Sequence, residues 1–272
     1  MPYAILLPLL LLGSMGLLFG LGLGFASVKF RVDADPKLSL IREALPGANC
    51  GGCGYAGCDA FAGAVLNGGA KTSGCPVGGV ETVRKIAGIL GVPAGTPERK
   101  RAFVRCGGCF SKSESRYDYH GLQDCTAVMQ LPGGGSKSCS YGCLGAGSCK
   151  AACQFDAISM TDGIAAVDPE KCTACGLCVK ACPKILITMV PYKNKVHVDC
   201  HSKDPGRDVR KYCKPGCIAC KLCEKACKFD AIHVRNNLAF IDYVKCTQCG
   251  DCVGVCPTKC IIDCRGAHGA SG

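Results

Sequence analysis

Residues 172–183 read CTACGLCVKACP, and residues 246–257 read CTQCGDCVGVCP. Both stretches space their cysteines as C-x2-C-x2-C-x3-C-P, the arrangement that bacterial ferredoxins use to bind [4Fe–4S] clusters. Three cysteines on one tight loop reach three corners of a cubane cluster, and the fourth ligates the neighbouring cluster. The two motifs therefore predict iron–sulfur sites in a ferredoxin-like α+β fold.

The chain contains 27 cysteines in 272 residues, which raises two other interpretations. Disulfide scaffolds are typically short and secreted, whereas this chain is long and has no obvious cleaved signal. Structural zinc takes four ligands, and the C-x2-C-x2-C-x3-C spacing crowds too many thiolates for one tetrahedral ion. Iron–sulfur clusters are therefore the favoured interpretation.

The C-terminal half repeats itself, because a shift of 74 residues carries the first motif onto the second. The same shift carries residues 155–158 onto residues 229–232, and it carries four further cysteines, Cys139, Cys143, Cys149 and Cys153, onto Cys213, Cys217, Cys223 and Cys227. The exception is Ala146, which stands where the second copy has Cys220. The repeat predicts two two-cluster ferredoxin modules, residues 139–199 and 200–264.

Crossed ligation assigns four clusters to these modules. Because Ala146 cannot be a ligand, Cys139 is the nearest replacement in the first module. The predicted ligand sets are Cys139, Cys143, Cys149 and Cys182 for cluster one; Cys153, Cys172, Cys175 and Cys178 for cluster two; Cys217, Cys220, Cys223 and Cys256 for cluster three; and Cys227, Cys246, Cys249 and Cys252 for cluster four. Strands are predicted to cover the clusters at the β-branched runs around residues 158, 164–167, 185–190, 196–198, 232–234 and 241.

A separate motif lies upstream, with cysteines at Cys50, Cys53, Cys58 and Cys75. Its glycine-rich first loop lets backbone amides approach the sulfurs, which tunes the reduction potential of a cluster. The different spacing predicts a single-cluster, α-rich domain over residues 33–92, with helices at 38–45 and 59–66. Zinc remains an alternative here, because a single set of four cysteines also suits that ion.

Seven cysteines lie outside these five ligand sets, namely Cys106, Cys109, Cys125, Cys200, Cys213, Cys260 and Cys264. Cys125 and Cys200 each precede a module by similar distances, which predicts that they meet at the junction between the modules. A sixth cluster is predicted on Cys106, Cys125, Cys200 and Cys213, with Cys109 as a reserve ligand. The alternative is that these residues are free thiols. Residues 93–138 are otherwise predicted to be a connecting segment.

The N-terminus is apolar and uncharged over residues 3–27, which is long enough to span a bilayer. A signal peptide would have a basic region before a shorter apolar run. Residues 1–28 are therefore predicted to be a single transmembrane anchor in membrane lipid. Lys29 and Arg31 follow the span, so the positive-inside rule predicts an inner (cytoplasmic) membrane protein with its cluster domains on the cytoplasmic side. Residues 265–272 are predicted to be a flexible tail.

The formal net charge of +11 counts every thiol as neutral. A [4Fe–4S] cluster with four thiolates carries a charge of about −2, so five or six clusters offset most of the basic excess. This balance argues against nucleic acid as a partner. Two basic groups are either solvated or able to steer an acidic electron carrier: Arg99, Lys100, Arg101 and Arg105, and separately Lys221, Lys225 and Lys228.

Residues 139–149 read CSYGCLGAGSC, and residues 236–243 read NNLAFIDY. With the anchor and the upstream four-cysteine domain, these stretches resemble the B subunit of the Rnf electron-transport complex over nearly the whole chain. The resemblance implies an ion-pumping ferredoxin:NAD oxidoreductase. In it, this subunit takes electrons from reduced ferredoxin and passes them to integral membrane and flavin-carrying subunits. The departures are Gln154 and Lys228, which replace a common proline, and the extra cysteines Cys260 and Cys264.

The residues lead to the same class without the resemblance. The sequence has no Rossmann glycine motif after a strand, no P-loop and no catalytic constellation, so no complete active site is expected on this chain alone. A membrane-anchored chain made mostly of cluster motifs is predicted to conduct electrons. The alternatives are the ferredoxin subunit of a hydrogenase or formate-type membrane oxidoreductase, or an iron–sulfur redox sensor.

Overall fold

The computed structural model describes residues 3–30 and 35–265. Helix α1 (Tyr3–Lys29) includes one stretch, Leu9–Lys29, that is long and apolar enough to cross a membrane, with a mean hydropathy of 2.0. No part of this stretch is buried against the rest of the protein. Arg31 and all of the predicted tail except Arg265 lie outside the described residues.

Three helices form the N-terminal domain: α2 (Pro36–Ala44), α3 (Cys58–Leu66) and α4 (Gly79–Leu90). The Asp35 side chain caps α2 by accepting a hydrogen bond from the Lys37 N–H, so the helix begins where its free amides are satisfied. Ile41, Phe61 and Ile86 are buried at the centre of this domain. The α-rich fold agrees with the sequence analysis, which located α2 and α3 but did not predict α4.

The remaining described chain contains eight strands paired in four antiparallel two-stranded sheets. Their bounds and partners are β1 (Lys100–Val104) with β4 (Ile187–Pro191), β2 (Ile158–Thr161) with β3 (Ile164–Val167), β5 (Val196–Val198) with β8 (Ile261–Asp263), and β6 (Ile232–Arg235) with β7 (Leu238–Ile241). Six short helices lie between them: α5 (Cys125–Met129), α6 (Ser148–Ala151), α7 (Leu177–Ala181), α8 (Gly206–Tyr212), α9 (Leu222–Ala226) and α10 (Asp251–Gly254). This mixture of short helices and antiparallel strands is typical of an α+β fold.

The two modules correspond over more residues in the structure than the cysteine repeat alone indicates. Val104 pairs with Ile187, and Val198 pairs with Ile261 in the same way. Strand β1 therefore belongs to the first module as β5 belongs to the second. The segment 93–138 is consequently more than a connection, because it supplies an edge of the first module.

The first module also contains an insertion. Cys106 and Cys200 follow equivalent strands and are 94 residues apart, whereas the cysteine motifs repeat after 74. The first module thus has 20 additional residues between Cys106 and Cys139. Helix α5 lies in this insertion and carries Cys125.

A buried polar cluster joins the two modules. Arg101 Nη2 lies 2.7 Å from His197 Nε2, and His197 Nδ1 lies 2.7 Å from the Tyr243 hydroxyl. Phe103 stacks on the His197 ring at 4.4 Å between centroids. Burial, with the nearby Arg101 charge, lowers the pKa of His197 to about 4, so the ring is neutral near pH 7. Arg101 is 5% exposed and is not part of a solvent-facing basic patch, contrary to the sequence-based grouping.

Candidate iron–sulfur centres

Five cavities in the ferredoxin-like region are lined by groups of cysteines. The cysteines in each cavity are Cys153, Cys172, Cys175 and Cys178; Cys227, Cys246, Cys249 and Cys252; Cys217, Cys220, Cys223, Cys256 and Cys260; Cys125, Cys143, Cys149 and Cys182; and Cys106, Cys139, Cys200 and Cys213. The first three groups contain the predicted sets for clusters two, four and three. The other two groups differ from the predicted sets by exchanging Cys125 and Cys139.

The insertion explains the exchange. The Cys125 N–H donates to Ser148 Oγ at 2.7 Å, which holds the start of α5 beside the loop that carries Cys149. Cys125 packs in one buried cluster with Val128 and Ala146, the residue that stands in place of a motif cysteine. The cavity lined by Cys143, Cys149 and Cys182 therefore also contains Cys125, where the sequence analysis predicted Cys139.

Cys139 lies instead at the junction between the modules, in the cavity lined by Cys106, Cys200 and Cys213. We call these four residues the junction site. Each module contributes two of them, Cys106 and Cys139 from the first and Cys200 and Cys213 from the second. Three of the four were predicted as ligands of a sixth cluster.

The junction site has matching hydrogen bonds on its two sides. The Cys143 N–H donates to Cys106 Sγ at 3.4 Å, and the Cys217 N–H donates to Cys200 Sγ at 3.4 Å. Cys143 and Cys217 are themselves in the sets for clusters one and three. A single N–H···S contact thus joins the junction site to a cluster site in each module.

Two glycines bring the backbone close to side chains of the junction site. A Cβ at Gly108 would lie 3.0 Å from Cys213 Sγ, and a Cβ at Gly107 would lie 2.6 Å from Asp199 Oδ2. Bare backbone next to sulfur is what a cluster-binding loop requires, because amides must approach the thiolates closely. Four thiols around one shared cavity are the donor set that an iron–sulfur cluster requires.

A buried cation lies beside the junction site. Lys137 is 4% exposed, and its Nζ donates to the Gly108 carbonyl at 2.7 Å and the Gly163 carbonyl at 2.9 Å. The same ammonium lies 4.8 Å from the centre of the Phe110 ring. Among the described residues, no carboxylate contacts Nζ, so this charge is available to balance a negative cluster.

Burial dominates the acid–base behaviour of these thiols. It raises the pKa of Cys106, Cys213, Cys149, Cys178 and Cys223 to about 12 in each case. These cysteines are therefore protonated near pH 7 in the metal-free protein. Cluster ligands are thiolates, so loading the sites releases protons.

The ligand loops also hold unusual backbone angles. Ala174, Ala219 and Gln248 have φ of 59°, 55° and 63°, and each directly precedes the second cysteine of its motif. Left-handed angles are uncommon for residues with a side chain and persist where the surroundings enforce them. The loops therefore keep a strained turn that directs successive sulfurs towards one point.

The cavity that contains the four predicted ligands of cluster three is also lined by a fifth cysteine, Cys260. This cysteine is 1% exposed and lies in the same buried cluster as Cys200 and Cys217. Interaction with the Cys260 thiol lowers the pKa of Cys217 to about 6 and also lowers the pKa of Cys200. The same interaction raises the pKa of Cys260. The sequence analysis left Cys260 without a role.

The N-terminal domain brings Cys53, Cys58 and Cys75 together around its core. Cys58 and Cys75 are buried, and Cys50 and Cys53 are half-buried. Asn49 Oδ1 accepts a hydrogen bond from the Cys58 N–H at 2.8 Å, which orders the first loop. Burial raises the pKa of Cys75, and the nearby Cys53 and Cys58 sulfurs raise it further.

This domain touches the first module at its ligand loop. A Cβ at Gly52 would lie 2.6 Å from the Cys175 carbonyl oxygen and 3.0 Å from Cys175 Cα. The charge of Cys50 also contributes to raising the pKa of Cys175, after the larger effect of burial. The N-terminal site and the cluster two site are therefore neighbours across a backbone contact.

Comparison with known families supports the nature of these sites. A family model for an Fe-S cluster matches residues 45–77, and models for a 4Fe-4S dicluster domain match residues 141–186 and 216–261. These three matches coincide with the N-terminal domain and the two modules. Tandem ferredoxin folds with cysteine-lined cavities define an iron–sulfur electron-transfer protein.

The relatives narrow this class to one family. The B subunit of a Na(+)-translocating ferredoxin:NAD(+) oxidoreductase complex from Acetobacterium woodii is 52% identical, over 95% of this chain and 78% of the relative. The B subunit of an ion-translocating oxidoreductase complex from Methanosarcina acetivorans is 44% identical, over 92% and 95%. The B subunit of a proton-translocating ferredoxin:NAD(+) oxidoreductase complex from Clostridium ljungdahlii is 41% identical, over 94% and 92%.

The chain belongs to the B-subunit family of Rnf-type ion-translocating ferredoxin:NAD oxidoreductase complexes, which confirms the resemblance. It is an iron–sulfur electron-transfer subunit of an ion-translocating oxidoreductase, and other subunits of such a complex are its partners.

Proposed function

We propose that this chain holds six [4Fe–4S] clusters and relays electrons from reduced ferredoxin to the membrane and flavin-carrying subunits of an ion-pumping ferredoxin:NAD oxidoreductase. The observation that carries the proposal is the set of five cysteine-lined cavities in the ferredoxin-like region. The N-terminal four-cysteine motif would supply the sixth site. The clusters, when bound, supply one-electron transfer at low potential. The protein's own residues hold the thiolates, exclude water and fix the order of the sites.

The proposed ligand sets follow the cavities described above. Cluster one takes Cys125, Cys143, Cys149 and Cys182, and the junction site takes Cys106, Cys139, Cys200 and Cys213. Clusters two, three and four keep the sets proposed from the motifs, and the N-terminal cluster takes Cys50, Cys53, Cys58 and Cys75. Cys109, Cys260 and Cys264 are not ligands in this proposal.

The contacts between ligands give the sites a linear order. Crossed ligation ties cluster four to cluster three and cluster one to cluster two, because each module exchanges its fourth cysteines. The hydrogen bonds from Cys217 to Cys200 and from Cys143 to Cys106 support a junction site between clusters three and one. The contact of Gly52 with Cys175 makes the N-terminal cluster the last in the series.

The second module is the proposed entry point for electrons. Its ligands Cys220 and Cys249 are exposed, whereas Cys175, which corresponds to Cys249 in the first module, is only half-exposed and contacts the N-terminal domain. Lys221, Lys225 and Lys228 are exposed near Cys220, which suits an acidic ferredoxin.

The N-terminal domain is the proposed exit, because it follows the membrane helix directly in the chain. Helix α1 would anchor the protein in the cytoplasmic membrane, and Lys29 at its end supports a cytoplasmic position for the clusters. Electrons leaving the N-terminal site would then be close to integral membrane subunits.

Anaerobic purification of the full chain in detergent tests the proposal. Six cubane clusters correspond to about twenty-four irons and as many sulfides per chain. Reduced ferredoxin should bleach the visible absorbance of all of them in stopped-flow mixing. An iron content of about twenty would remove one cluster from the proposal. A lack of reduction by ferredoxin would remove this chain as the entry point.

A further inference from the structure

Gln248 lies in the ligand loop of cluster four and uses both ends of its side-chain amide. Its Oε1 accepts hydrogen bonds from the Lys195 N–H at 2.7 Å and from the Val196 N–H at 2.8 Å. Its Nε2 donates to Cys246 Sγ at 3.0 Å. Because both backbone partners are donors, the amide oxygen must face them and the NH2 group must face the sulfur. The side chain therefore connects the start of strand β5 to the ligand loop.

The contact on β5 satisfies a buried backbone group. Val196 is the first residue of β5 and is 1% exposed. A buried N–H without an acceptor is costly, so Gln248 Oε1 stabilises this end of the strand. Gln248 has a left-handed φ of 63°, which is uncommon for a residue with a side chain. The hydrogen bonds of its amide are a physical reason for glutamine rather than glycine at this position.

The first module makes the corresponding connection without a side chain. The shift of 74 residues places Gln248 on Ala174, which has a similar φ of 59° but no polar group. Strand β1 corresponds to β5, with Ala102 at the position of Val196. The Ala102 N–H donates directly to Sγ of Cys172, the first cysteine of its motif, at 3.4 Å. Strand and sulfur are thus joined directly in the first module and through Gln248 in the second.

We propose that Gln248 is a positioning residue that fastens the ligand loop of cluster four to strand β5 and raises the reduction potential of that cluster through its N–H···S hydrogen bond to Cys246. The inference rests on the proposed function, which supplies the cluster. An N–H donor stabilises the reduced cluster more than the oxidised one, because the reduced cluster carries more negative charge. Cluster four is the first site in the proposed series, where a higher potential favours the acceptance of electrons from ferredoxin.

Two substitutions in the full-length chain separate the two contacts of the amide. Gln248→Glu keeps an oxygen for the two backbone N–H groups and replaces the NH2 donor by a second oxygen. Gln248→Met keeps a side chain of similar length and removes both polar groups. Gln130→Ala is the control, because Gln130 is exposed and lies in the insertion of the first module.

Hydrogen exchange followed by mass spectrometry measures the contact on β5 independently of any redox reaction. The peptide that contains residues 195 and 196 should exchange about tenfold faster or more in Gln248→Met, because two amides lose their acceptor. The same peptide should exchange at the parent's rate in Gln248→Glu and in the control. An unchanged rate in Gln248→Met would overturn the assignment of Gln248 as the link to β5.

EPR-monitored redox titration measures the contact on the sulfur. Both Gln248 variants lose the N–H donor, so one cluster should be reduced less readily, by about three- to tenfold in the ratio of reduced to oxidised form at a fixed potential. A tenfold change corresponds to about 59 mV for one electron. Gln248→Glu should show the larger shift, because its carboxylate adds negative charge beside the cluster. The control should titrate as the parent does.

Iron analysis distinguishes failure of this inference from failure of the proposed function. The parent, the two Gln248 variants and the control should all contain about twenty-four irons per chain. Loss of about four irons in both Gln248 variants would make Gln248 essential for holding the cluster and overturn its assignment as a residue that tunes the potential. Unchanged potentials at full iron content would overturn the inference while leaving the relay intact. A parent chain with fewer clusters would instead contradict the proposed function.

Discussion

Cys125 packs against Ala146, the residue that replaces a cluster cysteine in the first module. In the second module the corresponding position is Cys220. In the proposed ligand set, the thiol reaches cluster one from an inserted helix rather than from the motif loop. A ligand supplied by an insertion can be moved back to the loop by mutation.

We expect Cys125→Ser to lose cluster one, with a fall of about four irons per chain, because it removes one of the four thiolates that hold the cubane. Adding Ala146→Cys to Cys125→Ser should restore the iron, since it recreates the loop of the second module. Iron and sulfide analysis with EPR measures both effects. Cys109→Ser is the control and should leave the iron content unchanged. Failure of the double variant to recover iron would contradict the grouping of Cys125 with cluster one.

Lys137 should tune the junction cluster through its charge. Replacing it in Lys137→Gln removes a buried cation beside Cys106 and Cys213, so the more negative reduced cluster loses stabilisation. We expect the midpoint potential of the junction cluster to fall by about 40–90 mV. For one electron this corresponds to a free energy of roughly 1–2 kcal/mol. Lys137→Arg keeps the charge and should shift the potential less. Equal potentials in the parent and Lys137→Gln, at equal iron content, would exclude an electrostatic role.

Gly52 controls the contact between the N-terminal domain and the first module. A side chain in Gly52→Val would collide with the Cys175 backbone, whose carbonyl oxygen lies 2.6 Å from the Cβ position. We expect the domains to separate and electron transfer to the N-terminal cluster to slow by about tenfold or more, with iron content unchanged. Gly63→Ala is the matched control, because a Cβ there has no neighbour within 4 Å. Rapid-freeze EPR after mixing with reductant follows the last cluster; identical rates in Gly52→Val and the control would argue against this exit route.

The lysines near Cys220 should accelerate reduction by ferredoxin. Changing Lys221, Lys225 and Lys228 together to glutamine should slow the second-order rate by about tenfold at low salt and flatten its salt dependence. The control changes three exposed lysines of the N-terminal domain, Lys37, Lys71 and Lys85, to glutamine, which removes the same amount of charge. Stopped-flow absorbance measures both triple variants. A larger effect in the control would place the ferredoxin contact elsewhere.

Much of the fold was predictable because local sequence determines it. Strands β2, β3, β4, β5, β6 and β7 lie at the predicted β-branched runs. Strand β1 was not predicted, because its sequence KRAFV begins with two charged residues, and its partner β4 is far along the chain. Strand β8 has only three residues, and its partner β5 lies far upstream in the sequence, so local propensity gives little signal there.

The positions of Cys125 and Cys139 show the limit of prediction from cysteine spacing. Motif spacing groups cysteines that share a loop, and those groups recur in the cavities. Cys125 and Cys139 are both close in sequence to the first motif, and spacing favours the nearer one. The contact of Cys125 with Ser148 depends on how the insertion folds, which sequence distance does not encode. The 20-residue difference between the strand repeat and the cysteine repeat was the available signal, but it required knowing β1.

The two-plus-two composition of the junction site has a consequence for how the protein assembles. Neither module alone has enough cysteines to complete that site, so a metal cluster held there would fasten the two halves together. The order of maturation then matters: the modules must meet before the site can be filled, and a filled site prevents them from parting.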